Sequence, residues 1–133
     1  MTLLFKHLPT AAFAAFLAWI VFLADTSRPS VFFSLVKWIP LGDKLGHLIL
    51  FGTLAWLFNR SLRYRLLVGR PLVLPLGSVL ALVIAAGEEL TQLAFPNRNF
   101  DLADLAADFV GIAIFSWIQW MRRNRRIPEK IWE

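Results

Sequence analysis

Most of the side chains able to do chemistry lie in three short stretches of the chain. Asp43, Lys44 and His47 form the first, Glu88, Glu89, Thr91 and Gln92 the second, and Arg98, Asp101, Asp104 and Asp108 the third. Asp43 and His47 are four residues apart, so on a helix they share a face. Asp101, Asp104, Asp108 and Gly111 step by three, four and three and make a single stripe. An imidazole beside several carboxylates can move protons, with burial tuning each group to its task. His47, Glu89 and Asp108 are the candidate acid–base residues. Asp43, Lys44, Glu88, Gln92, Arg98 and Asp104 are the candidate binding residues. Arg98 offers the planar fork that grips a carboxylate or phosphate. His47 with Glu89 and Asp104 or Asp108 also has the donors for a hard divalent cation. No His-x-x-x-His or comparable ligand spacing occurs, so no metal ligand is assigned and the cofactor is unknown. The chain has no cysteine, which excludes thiolate nucleophiles, disulfides, Fe–S clusters and Cys-based zinc sites.

Each residue also has a structural reading. Asp43 and Asp104 suit helix N-caps. His47 would then be a packing residue held by Asp43. Lys44 would snorkel to the membrane surface. Glu88 or Glu89 with Gln92 would be polar glue between helices. Arg98 would tie its loop to Asp104 or Glu89. The two glutamates point about 100° apart on a helix, so they are not expected to face one partner squarely.

The elements that must carry these groups follow from composition. The 133 residues suffice for one domain and are 58% hydrophobic but only 17% charged, with a mean hydropathy of +0.61. Soluble domains run about 45–50% apolar and about 25% charged, so an integral membrane protein is expected. About 20 apolar residues cross a bilayer as a helix. Four stretches qualify, at about 8–24, 43–62, 72–95 and 102–121, and predict an all-α four-helix membrane bundle over 1–133. The second is short and must borrow polar residues at its ends. The first lacks a small-x-small cleavage pattern, because Phe22 intrudes, so it reads as a span rather than a signal peptide. The third carries a stripe of Ser78, Ala81, Ala85, Glu88 and Gln92, in which small residues allow close helix approach.

Charge orients the spans. With both termini cytoplasmic, Lys6, Arg60, Arg63, Arg65, Arg70, Arg122, Arg123, Arg125, Arg126 and Lys130 fall inside, leaving Arg28, Lys37, Lys44 and Arg98 outside. That bias matches the positive-inside rule. It also places every residue of the three stretches toward the outer face. Arg122 to Arg126 then read as contacts to anionic lipid, not as a nucleic-acid site. Trp19, Trp38, Trp56, Trp117, Trp120 and Trp132 fall mostly near span ends, where indoles settle. Trp38 and the Phe32–Phe33 pair suggest that the first loop lies against the outer surface.

At this point the motifs resemble a known family. Asp43-Lys44-Leu45-Gly46-His47, followed by Phe51-Gly52 and Leu54, resembles the Asp-Lys-x-x-His opening of the VanZ-like family. Glu88-Glu89-Leu90-Thr91-Gln92 resembles its acidic-Glu-x-x-Gln segment. Pro96-Asn97-Arg98 with Asp104, Asp108 and Gly111 resembles its Pro-Gly-Arg and Asp-x-x-x-Asn/Asp-x-x-Gly segments. The likeness covers about residues 43–111. Asn97 stands where glycine is usual and tolerates the same left-handed turn. Asp101 has no firm counterpart. The family pattern favours Glu89 where the small-residue stripe favours Glu88, and both are kept. The resemblance implies a small multi-span protein of the bacterial inner membrane, in a family named after a teicoplanin-resistance protein. It points to the cell envelope and antibiotic response without stating a reaction.

Three classes of function are consistent with these features. One is an enzyme or binding protein for a lipid-linked, phosphate- or carboxylate-bearing envelope substrate at the outer leaflet. The second is a non-catalytic assembly partner whose polar cluster is structural. The third is a transporter, which four spans without a visible repeat could form only as an oligomer.

Overall fold

The computed structural model describes residues 2–69 and 72–125. Arg70, Arg126, Lys130 and Trp132, which entered the charge and tryptophan readings, lie outside the described residues. The chain is mostly helical. Helix α1 runs Thr2–Asp25, α2 Val31–Lys37, α3 Gly42–Ser61, α4 Leu76–Thr91 and α5 Leu102–Asn124, with a 3-10 turn at Gln92–Ala94 after α4. Strands β1, Leu66–Gly69, and β2, Leu72–Pro75, form one antiparallel hairpin.

The hairpin corrects the expected third span. The stretch 72–95 does not begin as helix. Leu72 pairs with Gly69 and Pro75 with Leu66, and the helix starts only at Leu76, with an extended Pro75 as its N-cap. Two local facts account for this. Pro75 pushes Leu74 toward extended backbone, and β-branched Val68 and Val73 face each other across the ladder. Helix α4 is therefore 16 residues long, about 24 Å at 1.5 Å per residue. Among the described residues two helical segments are long and apolar enough to cross a membrane, Leu4–Asp25 and Leu102–Asn124.

Helix α3 is the hub. It packs most extensively on α5, then on α4, and it also carries α1, while α4 and α5 meet each other. The buried core consists of Leu17, Phe51, Leu54, Ala55, Ala81, Ala85 and Ile112. The larger side chains Trp19, Phe22, Val83, Phe109, Trp117 and Trp120 are exposed. Ala55, Ala81 and Ala85 within the helix contacts and bulky apolar groups outside are the distribution expected where lipid is the solvent. At the end of the molecule bearing the hairpin, Asn59 Nδ2 donates to Ser78 Oγ at 2.9 Å and Ser78 shares a 2.6 Å hydrogen bond with Ser116. This small polar layer ties α3, α4 and α5 together.

The α3–α5 crossing is close because glycine lies on both sides of it. A Cβ on Gly111 would collide with the Leu48 carbonyl, and one on Gly52 would strike the Phe115 ring and the Gly111 carbonyl. Gly87, in contrast, has open space where its side chain would be. Gly111→Ala is accordingly expected to cost about 1–3 kcal/mol through overpacking. Gly87→Ala is expected to be neutral or slightly stabilising, since alanine favours helix. Thermal unfolding of the two variants in detergent measures the contrast.

Candidate functional site

One turn above the glycine crossing, the first turns of α3 and α5 lie side by side. The chain enters α3 through Leu41, which takes a left-handed conformation with φ 56° and no side-chain cap. Asp43 is therefore one step into the helix rather than its cap. It is exposed and makes no ion pair or side-chain hydrogen bond among the described residues. Lys44 does not snorkel away. Its Nζ donates to Asp101 Oδ2 at 3.0 Å and Asp104 Oδ1 at 2.9 Å. The cap of α5 is Asp101, whose Oδ1 accepts from the Ala103 N–H at 2.8 Å. This leaves Asp104 for Lys44 and corrects the capping role expected of Asp104. The Ala103 N–H first, and then the Lys44 ammonium, hold the Asp101 carboxyl below its ordinary range.

His47 turns to α5 and not to Asp43. Its Nδ1 donates to Asp108 Oδ1 at 3.0 Å, and its Nε2 stands 3.9 Å from Asp104 Oδ2. Asp108 is fully buried. The imidazole lies nearly parallel to the Phe51 ring, with centroids 6.1 Å apart. An ionised carboxylate only accepts hydrogen bonds, so the pairing places the ring proton on Nδ1.

The end of α4 supplies the third side. Both glutamates reach Gln92, contrary to the expectation from their 100° separation. Gln92 Nε2 lies 3.0 and 3.1 Å from the two Glu88 oxygens and 3.1 Å from Glu89 Oε1. The switch to a 3-10 turn at Gln92 sets its side chain between the two acids. Beyond it the acids diverge. Glu89, fully buried, accepts the Asp101 N–H at 3.3 Å. Glu88 accepts from Arg98 Nη2 at 2.9 Å. Arg98 thus pairs with Glu88, and with Asp25 at 3.6 Å, rather than with Asp104 or Glu89. Thr91 bonds the carbonyl of Glu88 and stays outside the cluster.

Asp25 is the residue that the sequence reading missed. It lies in no motif. The available signal was its position, as the first acid after an apolar span and on the same side as the Arg98 loop.

Two hollows open onto this cluster. An apolar cavity of about 280 Å³ lies among Phe16, Leu17, Ile20 and Val21 of α1, Phe32, Phe33 and Val36 of α2 and Leu50 of α3. Phe16 and Phe32 meet edge to face, so α2 lies on α1 and walls the cavity. Its polar end is made of Asp43, His47, Glu88 and Arg98. A wider cleft shares Asp43 and Arg98 with it and adds Arg28, Lys37 and Lys44. Ligand atoms of Asp43, His47 and Asp104 lie within 4.8 Å of one another, as do those of His47, Glu88 and Glu89.

A family model described as VanZ/LLP1 matches residues 5–123. The chain belongs to the VanZ/LLP1 family. No curated protein matches this VanZ/LLP1 chain, and no solved structure does. The matched span holds every residue of the cluster, from Asp25 to Asp108. Membership and the two long apolar helices together describe a membrane protein.

Within this VanZ/LLP1 protein, truncating Arg98 leaves Glu88 and Asp25 without their cation. Arg98→Ala is expected to cost about 3–5 kcal/mol, because an uncompensated buried charge is expensive. Adding Glu88→Gln should recover part of that loss. A double-mutant cycle on unfolding temperature in detergent measures the coupling.

Proposed function

We propose that this VanZ/LLP1 protein binds and acts on an amphiphilic envelope substrate, a lipid-linked phosphate or carboxylate, at the extracytoplasmic end of a four-span bundle in the bacterial inner membrane. The observation that carries the reading is the junction of the two hollows. An apolar cavity suited to an acyl or prenyl chain runs into a cleft lined by Arg28, Lys37, Lys44 and Arg98. Those are the same four basic residues that the positive-inside rule assigns to the outer side. A pocket with an apolar body and a few convergent charges is the usual form of a ligand site. In this reading the cations hold the headgroup. His47, oriented by Asp108, and one of Glu88 and Glu89 move protons at it. The resemblance of the motifs to a family named after a teicoplanin-resistance protein supports a place for such a substrate in the response to glycopeptide antibiotics.

The second reading is an assembly partner whose cluster is cement. It is favoured by the internal satisfaction of Lys44, Gln92 and Glu89, each held by other members of the cluster. A transporter is disfavoured, because the layer below the cluster is apolar, built from Phe51, Leu54, Ala55, Ala81 and Ala85.

Arg28 and Lys37 line the cleft without ion pairs among the described residues, so they separate the readings. Arg28→Glu with Lys37→Glu should melt within about 2–4 °C of wild type, a change of about 1 kcal/mol or less. The same pair should weaken binding of a polyprenyl phosphate in detergent at least tenfold. A wild type whose unfolding temperature no polyprenyl phosphate moves supports the cement reading instead. The topology is checked separately in the cysteine-free chain. Ser34→Cys should react with an impermeant maleimide on intact cells, and Asn124→Cys only after permeabilisation.

A further inference from the structure

We propose that Asp43, His47 and Asp104 form a divalent-cation site of the Mn²⁺ or Zn²⁺ type. The role of the ion, bridging to an anionic headgroup, rests on the substrate reading above, whereas the site itself rests on geometry. Asp43 and His47 are one turn apart at the start of α3, and Asp104 lies in the first turn of α5. One donor atom from each lies within 4.8 Å of the others.

Carboxylates alone would not define a site here, but the imidazole does. Its Nδ1–H is held at 3.0 Å by Asp108, a carboxylate with no solvent exposure. In the neutral ring that leaves the lone pair on Nε2. A carboxylate behind the far nitrogen is the support that metal-ligating histidines characteristically have, since it sets the tautomer and raises basicity. The free Nε2 stands 3.9 Å from Asp104 Oδ2. This is too far for a hydrogen bond. Two donors each about 2.1–2.4 Å from one ion stand roughly 3–4 Å apart, so the gap fits a shared cation.

Each carboxylate also keeps an oxygen without a hydrogen bond among the described residues. Asp104 is only 7% exposed. Its Oδ1 is taken by Lys44, while its Oδ2 accepts no hydrogen bond among the described residues. Asp43, which is exposed, accepts none among them either. An oxygen left this way is open to an incoming cation. The alternative triplet of His47, Glu88 and Glu89 is less suited, because Arg98, Gln92 and the Asp101 N–H already engage its carboxylates. Charge points the same way. Asp25, Asp43, Glu88, Glu89, Asp101, Asp104 and Asp108 gather at this end, and among the described residues only Lys44 and Arg98 pair with them as fixed cations.

One imidazole with two carboxylates suits a borderline ion better than Ca²⁺. Three protein ligands leave coordination positions open, and Asp43 and His47 both line the apolar cavity. The ion and a headgroup could therefore meet there.

The test uses the full-length protein in detergent, without added lipid, titrated with Mn²⁺ alone and with Zn²⁺ alone by calorimetry. Wild type should bind one equivalent. Asp43→Asn, an exposed change that breaks no internal contact, should weaken binding at least tenfold, and Asp108→Asn should weaken it by 10–100-fold. Pulsed electron paramagnetic resonance of the Mn²⁺ form should show ¹⁴N coupling from one imidazole, lost in His47→Gln. Absence of binding at millimolar ion, unchanged affinity in Asp43→Asn, or absence of ¹⁴N coupling would each overturn the site. Polyprenyl phosphate binding in EDTA with no Mn²⁺ or Zn²⁺ binding overturns the cation site and leaves the substrate reading standing. Mn²⁺ binding with no lipid binding does the reverse.

Discussion

The arrangement depends on one close approach. Helix α5 lies against the backbone of α3 at Leu48 because Gly111 has no side chain, and Gly52 completes the crossing from the other side. That contact sets the separation of the two helices one turn higher. At that separation His47 and Asp108 are within hydrogen-bond reach, and Lys44 can span Asp101 and Asp104. A methyl group at the crossing would act like a wedge, and the polar pairs above it would be the first to lengthen. The glycines and the charged residues are thus one unit, although they belong to different layers.

Above the crossing the molecule concentrates charge. Burial makes each ion pair costly to form and more costly to leave half-formed, so the acids are answered individually. Lys44 serves two carboxylates, Arg98 serves two, and Gln92 and backbone N–H groups take much of the rest. Asp43 and the Asp104 Oδ2 accept no hydrogen bond among the described residues, and that Asp104 oxygen stands 3.9 Å from His47 Nε2. Below the crossing the interior is apolar down to the Asn59–Ser78–Ser116 layer. The far end carries arginines on aromatic rings, Arg122 over Trp56 and Arg123 over Tyr64. The two ends have different chemistry, one rich in carboxylates and the other in arginines, and an apolar core separates them.

Much of the candidate site was legible before the fold. The three stretches converge, His47 and Asp108 meet, and Asp104 and Lys44 lie beside them. Their visibility has a physical cause, since charge is too costly in an apolar chain to appear there without a partner. The partner assignments were less legible. Spacing along a helix reports which residues share a face, but not which face of a second helix is opposite. Arg98 was expected on Asp104 or Glu89 and lies on Glu88 and Asp25. Asp101 caps α5 where Asp104 was expected to. The start of the third span was missed because Leu72 to Leu74 are as apolar as any helix, and only pairing with Leu67 to Gly69 makes them a strand.

The sequence alone determined the apolar character of the chain, the three polar stretches, the charge bias between the ends and the family. Each of these is a one-dimensional property, set by residue type and local spacing. Tertiary structure decided which acid meets which base, that both glutamates share Gln92, that Asp25 joins from the first helix, and that an apolar cavity meets a basic cleft at Asp43 and Arg98. Those outcomes depend on how far apart the helices lie and how they are rotated. Side-chain volume at the crossing sets that distance, and it becomes visible only when Gly52 and Gly111 are seen against each other.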